Sequence, residues 1–253
     1  MDSSIRKPFQ GVTNVMRFNW PYYAFSASIV VFIFLVQHYF SLGLTGDILV
    51  SLIVCSTIIS LAVSFYIYDF SDLYKLSWLN HLKSGETEKI ININAGFDET
   101  SALLKSKFEN SELIVADFYD PEKHTEISIR RARKAYPPYQ NTQQVSTRHL
   151  PMPDNSADKV FTILSAHEIR DEKERITFFK ELQRVLKPNG RVIVTEHLRD
   201  KANFLAYNIG FFHFHSKAVW MKTFRSSGLK LVEEIKITPF ITTFILVKNG
   251  TAT

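Results

Sequence analysis

Asn94-Ala95-Gly96-Phe97-Asp98 lies between a β-branched run, Ile90-Ile91-Asn92-Ile93, and a helical pattern over residues 99–108 whose Leu103, Leu104 and Phe108 share one face. Strand, tight turn and helix in that order open many nucleotide-binding α/β folds, and the turn carries backbone close to a ligand. Glycine is favoured there because it adopts positive φ and has no Cβ to obstruct the approach. This turn has one glycine, Gly96; Asn94 is a residue type that tolerates left-handed backbone better than most. Asp98 is expected to turn away from the ligand and cap the helix that follows, a role its short carboxylate fills well.

Outward from the turn, short apolar runs alternate with longer helical patterns, which implies crossover units around a mainly parallel sheet. Strand 113–116 ends at Asp117, a helix over 121–136 stops before Pro137-Pro138, and a short strand covers 144–147. Residues 160–164 read as a fully buried strand, followed by an amphipathic helix over 172–186 with Ile176, Phe179, Leu182 and Leu186 inward. Lys187-Pro188-Asn189-Gly190 breaks that helix and leads into strand 191–195. The last strands, 229–237 and 240–247, are separated only by Thr238-Pro239, so they must pair antiparallel.

Upstream, two apolar runs over residues 21–40 and 48–68 are each about as long as the ~20 residues that span a bilayer. A secretory signal would have a shorter apolar core, roughly 7–15 residues, and a small-residue cleavage site. The connecting segment 41–47 has no Lys or Arg, whereas Arg6, Lys7 and Arg17 precede the pair and Lys75 and Lys83 follow it. The positive-inside bias then keeps both flanks, and the domain after them, in the cytoplasm as part of a multi-pass membrane protein. Trp20, Tyr22, Tyr23, Tyr66, Tyr68 and Tyr74 are expected at headgroup level, and residues 69–82 as a helix lying in the interface. The resulting division is an N-terminal segment 1–20, two spans within 21–68, an interfacial linker 69–88 and an α/β domain 89–253.

The single cysteine, Cys55, excludes a disulfide within one chain. The formal net charge of +5 concentrates at Arg130, Arg131, Arg133 and Lys134, a cluster suited to a solvated helix face, anionic headgroups or an acidic substrate. It has no nucleic-acid-binding module around it, so no nucleic-acid partner is expected. Without Gly-x-Gly-x-x-Gly after the first strand, a nicotinamide dehydrogenase is a distant option.

The most specific stretches are Leu150-Pro151-Met152-Pro153-Asp154-Asn155-Ser156-Ala157-Asp158 and Glu181-Leu182-Gln183-Arg184-Val185-Leu186-Lys187-Pro188-Asn189-Gly190-Arg191. They are similar to the Leu-Pro-Phe-x-Asp-x-Ser-Phe-Asp and Arg-Val-Leu-Lys-Pro-Gly-Gly segments of class I S-adenosylmethionine-dependent methyltransferases, in the branch that includes the ubiquinone and menaquinone C-methyltransferases. The resemblance covers nearly everything after Lys89. It implies a Rossmann-like, seven-stranded sheet whose last strand is antiparallel, here preceded by a transmembrane helical hairpin. It also implies S-adenosyl-L-methionine lying across the carboxyl ends of the strands. Aligning the family's Asp-x-Gly-x-Gly-x-Gly pattern puts Asn92, Asn94, Gly96 and Asp98 at the marked positions. Asn92 would accept from the cofactor's ammonium, Asp117 from the ribose hydroxyls, and Ser146 and Thr147 would lie against the adenine.

Alignment of a nucleophile with an electrophilic sulfonium carbon supplies much of the acceleration in this chemistry, and a base helps where the acceptor is a phenol or enol. Ser165-Ala166-His167-Glu168, just past the central strand, is where the fold puts acceptor-facing groups. Ser165 is counted with the cofactor-binding residues, His167 is the candidate general base, and Glu168 is its orienting or second acidic group. His197, His213 and His215 are weaker candidates, and His213-Phe214-His215 gives only two ligands, so no metal is expected. The aromatic segment 203–214 either packs in the core, lines an apolar acceptor pocket or dips into the bilayer. The function expected is transfer of a methyl group to a lipid-soluble or membrane-associated acceptor, such as a quinone-like ring or a lipid headgroup. Its rival is an inactive, membrane-tethered binding or scaffolding module that kept the fold.

Overall fold

The computed structural model describes residues 6–40, 42–82, 87–123 and 126–250. Lys83, one of the flanking cations, and Ser41, at the start of the inter-span segment, lie outside them. Three helices come first: α1 (Gln10–Phe18), α2 (Trp20–Phe40) and α3 (Leu44–Phe65). By length and composition α2 and α3 are apolar enough to cross a membrane, and most of their surface is exposed.

The α/β domain then runs β1 (Lys89–Asn94), α4 (Ser101–Lys107), β2 (Glu112–Asp117), α5 (Ile127–Ala135), β3 (Gln143–Gln144), β4 (Ala157–Ile163), α6 (Glu172–Val185) and β5 (Leu186–His197). It ends with α7 (Lys201–Tyr207), α8 (Lys217–Ser226), β6 (Leu229–Thr238) and β7 (Ile241–Lys248). The sheet has seven strands in the order β3-β2-β1-β4-β5-β7-β6. β7 is antiparallel to both β5 and β6, while the remaining pairs are parallel, as the short link between the last two strands requires.

Successive residues of a strand face opposite sides of a sheet, and both sides here are covered. Ile91 and Ile93 of β1, Val192 and Val194 of β5 and Phe244 of β7 enter one core with Phe178, Phe179 and Leu182 of α6 and Trp220 and Phe224 of α8. Ile90, Phe161, Ile193 and Ile245 enter the other, against Leu104 of α4 and Leu76, Leu79 and Leu82.

Those three leucines correct the expectation of an interfacial helix over residues 69–82. The chain there forms a π turn (Tyr66–Phe70) and a 3-10 segment (Ser77–Leu82), and Leu76, Leu79 and Leu82 pack on the sheet while Phe70 stays exposed. Tyr68 and Tyr74 likewise turn inward: Tyr68 Oη lies 2.8 Å from His197 Nε2, and Tyr74 Oη donates to Glu99 at 2.7 Å. Strand 144–147 also proves shorter, ending at Gln144, with Ser146 and Thr147 in the turn beyond it. The helix expected over 121–136 is confined to Ile127–Ala135 among the described residues.

Helix α1 was not foreseen. Asp69 accepts from the amides of Gly11 and Val12 at 2.7 and 2.8 Å, placing a carboxylate on the helix N-terminus where the backbone dipole favours it. Gly11 is required by proximity, since a Cβ there would lie 2.3 Å from Cβ of Tyr68. Glu99 is the second tether: it pairs with Arg6 at 2.7 Å and accepts from Gln10, Asn14 and Tyr74. Arg131 of α5 donates to the Phe18 carbonyl at 2.6 Å, closing the far end of α1 onto the domain. The basic cluster is thus partly spent on holding this helix.

Replacing Glu99 by Ala leaves Arg6 and Tyr74 without their acceptor, at a cost of about 1–3 kcal/mol for groups this poorly exposed. Amide exchange across residues 10–18 should accelerate while exchange in β1, β4 and β5 stays unchanged. Unchanged protection of α1 would show that Glu99 does not hold it.

Candidate functional site

Parallel strands that end together leave polar backbone at one edge of the sheet, and the loops that follow β1, β2, β4 and β5 meet there. At the end of β1, Asn94 stays within the strand and its Oδ1 accepts from the Gly96 amide at 3.0 Å. The left-handed backbone suited to Asn94 is adopted instead by Gly96, at φ +97°. Asp98 Oδ1 accepts from the amides of Thr100 and Ser101, both at 2.9 Å, so it closes the start of α4 as its residue type suggested.

Asn92 is buried, and its amide nitrogen donates to the hydroxyls of Thr100 and Ser101 at 2.9 and 2.8 Å. Its Oδ1 is buried without a partner. Asp117, at the end of β2, accepts from the Tyr119 amide at 2.8 Å and forms an ion pair with Arg133 of α5. The same guanidinium lies 4.4 Å from the centre of the Tyr119 ring and donates to the Gly96 carbonyl.

Ser146 and Thr147 line a cavity of about 440 Å³ with Phe118, Tyr119, Arg133 and Gln144. Ser146 Oγ accepts from the Arg148 amide and Thr147 donates to Glu174, so neither hydroxyl is idle. Ser165, expected beside the cofactor, donates from a buried position to the Ile93 carbonyl at 2.8 Å; it ties β4 to β1.

On the other side of the turn is a cavity of about 260 Å³ whose walls include Phe18, Tyr68, Phe97, His167, Glu168 and Phe214. His167 is held by two carboxylates. Its Nδ1 lies 2.6 Å from Glu196 at the end of β5, and its Nε2 lies 3.3 Å from Glu168. Glu196, wholly buried, is therefore its stronger partner, a role expected of Glu168. Burial disfavours the charged imidazolium, but Glu196 and Glu168 outweigh it and raise the His167 pKa to about 10. Burial also opposes ionisation of Glu168, yet His167 and His213 hold it well below the usual carboxylate range. Both ring nitrogens of His167 face carboxylates, an arrangement that favours the imidazolium.

The other histidines divide by environment. His213 reaches the cavity, with Nε2 3.4 Å from Glu168 and Nδ1 2.8 Å from Glu126. His197 is buried between Tyr68 and Asn203 and stacks on Phe214 at 4.6 Å; burial is the main cause that lowers its pKa to about 3. His215 packs on Trp220 beside Arg175, away from the cavity lining. Glu196 is a residue that local sequence did not single out, and Arg133 stood out only as one of a basic cluster. An acid closing an otherwise apolar strand, Val192-Ile193-Val194-Thr195-Glu196, is the signal that a buried partner must exist.

Residues 95–194 match the family model described as a methyltransferase domain. No curated protein matches the chain. Among solved structures, a SAM-dependent methyltransferase from Aquifex aeolicus is 15% identical with a TM-score of 0.53, over 76% of this chain and 98% of its own. PH0226 from Pyrococcus horikoshii OT3 is 17% identical with a TM-score of 0.52, over 70% and 89%. A putative methyltransferase from Haloferax volcanii, in complex with the activator Trm112, is 15% identical with a TM-score of 0.51, over 71% and 90%. At these identities the structural likeness is one of fold. Over residues 95–194 the chain is similar to a methyltransferase domain, and S-adenosylmethionine is the cofactor that this match implies.

The residues present fit that cofactor only with adjustment. The unpartnered Oδ1 of Asn92 is an acceptor of the kind an ammonium needs, though it is buried and outside the lining of both cavities, and a Cβ at Gly96 would meet Arg133 at 2.9 Å. The carboxylate of Asp117 is available to ribose hydroxyls only when Arg133 swings away, and the Arg133 side chain is one-third exposed.

His197 provides a pH test of the packing around this cavity. An unfolded histidine titrates near 6.5, so the unfolded chain binds the proton first. The stability that depends on a neutral His197 is whole above about pH 6.5 and is lost as pH falls towards about 3. Thermal midpoints should fall less steeply on acidification in His197→Gln than in wild type. Parallel pH profiles would show that His197 is not the group responsible.

Proposed function

We propose that this chain is a membrane-anchored methyltransferase that moves the methyl group of S-adenosylmethionine onto a lipid-soluble acceptor, with a quinone-like ring the favoured class. The observation that carries it is the cavity between the methyltransferase turn and the hairpin: Gly11, Asn14 and Phe18 of α1 and Tyr68 just after α3 share its lining with His167 and Glu168. The anchor is supported by the length and exposure of α2 and α3 and by the lysine and arginine asymmetry of their flanks. Helix α3 packs beside α7, and next to it Leu205, Ile209 and Phe212 are 70%, 81% and 61% exposed. Apolar side chains this exposed beside two candidate spans fit a domain seated at the membrane surface.

In this reading Asn92 takes the ammonium of the cofactor, the Gly96 turn leaves it room, and Asp117 takes the ribose. The bound cofactor supplies an electrophilic sulfonium methyl. Phe18, Phe97 and Phe214 exclude water from the space beside it, and positioning of the acceptor in that space is the main contribution. His167, charged through Glu196 and Glu168, holds an electron-rich acceptor oxygen by charge and hydrogen bonding; it does not remove a proton.

An inactive, tethered binding module is the alternative supported by Arg133, whose ion pair occupies Asp117. Calorimetry on the detergent-solubilised full chain separates the two. Wild type should bind S-adenosylmethionine, Gly96→Val should not, and Arg133→Ala should bind several-fold more tightly because the competing cation is gone. A folded wild type without affinity would leave the module in place of the enzyme.

The acceptor can be sought without assuming its identity. Lipids and quinones extracted from cells lacking the protein should contain a species lighter by the mass of one methylene than its counterpart in normal cells. Identical extracts would argue against a lipid-soluble acceptor.

A further inference from the structure

Three titratable side chains from distant parts of the chain meet at the cavity wall beside the methyltransferase turn. One ligand atom each from His167, Glu168 and His213 lies within 4.8 Å of the other two. Glu168 Oε1 is 3.3 Å from His167 Nε2 and 3.4 Å from His213 Nε2. Two ligands on a tetrahedral ion with bonds near 2.1 Å are separated by about 3.4 Å. The geometry points to a binding site for a divalent transition-metal ion, held by His167 Nε2, His213 Nε2 and the Glu168 carboxylate, with a fourth position open to the cavity.

Four observations support a metal site over an ordinary ion-pair cluster. His167 directs Nδ1 at the wholly buried Glu196, 2.6 Å away, which fixes the ring with Nε2 towards Glu168. A carboxylate behind a histidine in this way orients the ring and raises its basicity as a ligand. Glu126 likewise lies 2.8 Å from His213 Nδ1, while the Arg170 guanidinium contacts both nitrogens of that ring. The charge balance also suits a cation: Glu126, Glu168 and Glu196 face the cluster, and among the described residues Arg170 is the fixed positive charge against them. Finally, two imidazoles and one carboxylate are a donor set that suits zinc and other late divalent ions. Arg170 Nη2 lies 2.9 Å from His213 Nε2 and would withdraw from that atom on loading, keeping its pairing with Glu126.

Histidine spacing alone conceals the site. His213-Phe214-His215 looks like the local pair, but His215 points to Trp220 and Arg175, and its place is taken by residues 167 and 168, which come from the loop after another strand. An ion here would sit among the two imidazoles and the Glu168 carboxylate. Its open position suits an acceptor that presents an oxygen, such as a phenolate, enolate or ring carbonyl; this last clause rests on the methyl-transfer reading above.

The test uses the full chain in detergent, stripped with a chelator and titrated with zinc by calorimetry, then with cobalt(II) for its visible absorption. One ion per chain is expected, without S-adenosylmethionine or any acceptor present. Removing a ligand in His213→Ala or Glu168→Gln should weaken binding by more than the roughly 10–100-fold that loss of a supporting carboxylate costs. Glu196→Gln should fall in that smaller range and retain the cobalt bands. His149→Ala, an exposed histidine paired with Glu181, should bind as wild type. Thermal unfolding of the metal-free variants checks that each is folded, and His213, a quarter exposed, is the substitution least able to disturb the core. No binding by wild type, or equal binding by folded His213→Ala and Glu168→Gln, overturns the site. Zinc binding in a protein without cofactor affinity would leave the site standing and defeat only the methyl-transfer reading.

Discussion

The pairing of β1, β4 and β5 in parallel, buried on both faces, is the constraint from which the rest of this structure follows. Their side chains alternate between two apolar cores, so the interior of the sheet has little room for charge. Polar chemistry is displaced to the carboxyl ends, where Asn92, Asn94, Ser165 and Glu196 appear within a few residues of one another in space. Ser165 shows how little slack remains: its hydroxyl closes the gap between β4 and β1.

Charges gathered in such a place must compensate one another, because an unpaired buried charge is far more costly than an unpaired exposed one. Asp117 takes Arg133, and His167 is set between Glu196 and Glu168. Glu99 takes Arg6 from the N-terminal segment. These pairs order the loops around the carboxyl ends of the strands. Arg133 is poised differently from His167: it is partly exposed and can leave, whereas His167 and Glu196 are locked in the core.

Helix α1 joins this electrostatic arrangement to the apolar hairpin. Asp69, just after α3, holds the N-terminus of α1, and Glu99, just after the Gly96 turn, holds its face. The cavity wall therefore combines a helix that precedes the hairpin, residues that follow it and the loops of the domain. Movement of the hairpin relative to the sheet would be felt at the cavity through these two carboxylates.

The α/β domain was legible in the sequence because its evidence is local. The short β-branched runs of β1 and β5, the single amphipathic face of α6, Pro137-Pro138 and the link Thr238-Pro239 each restrict the chain over a few residues. Asp98 as a cap and Gly96 as the positive-φ residue were legible for the same reason. The site was legible only in part. Asn92, Asp117 and His167 sit at strand ends that the pattern identifies, but their partners Thr100, Arg133 and Glu196 depend on how loops fold back, and nothing in their spacing encodes that. Residues 69–82 failed for a related reason: an apolar stripe specifies that a face will be covered without specifying whether lipid or protein covers it. The sequence by itself determined the run of strands and helices from β1 to β5, the final antiparallel pair and two apolar helices long enough to cross a membrane. Only the tertiary structure decided that His213, not His215, joins His167 and Glu168, because strand order and loop paths bring together groups whose separation along the chain exceeds any local period.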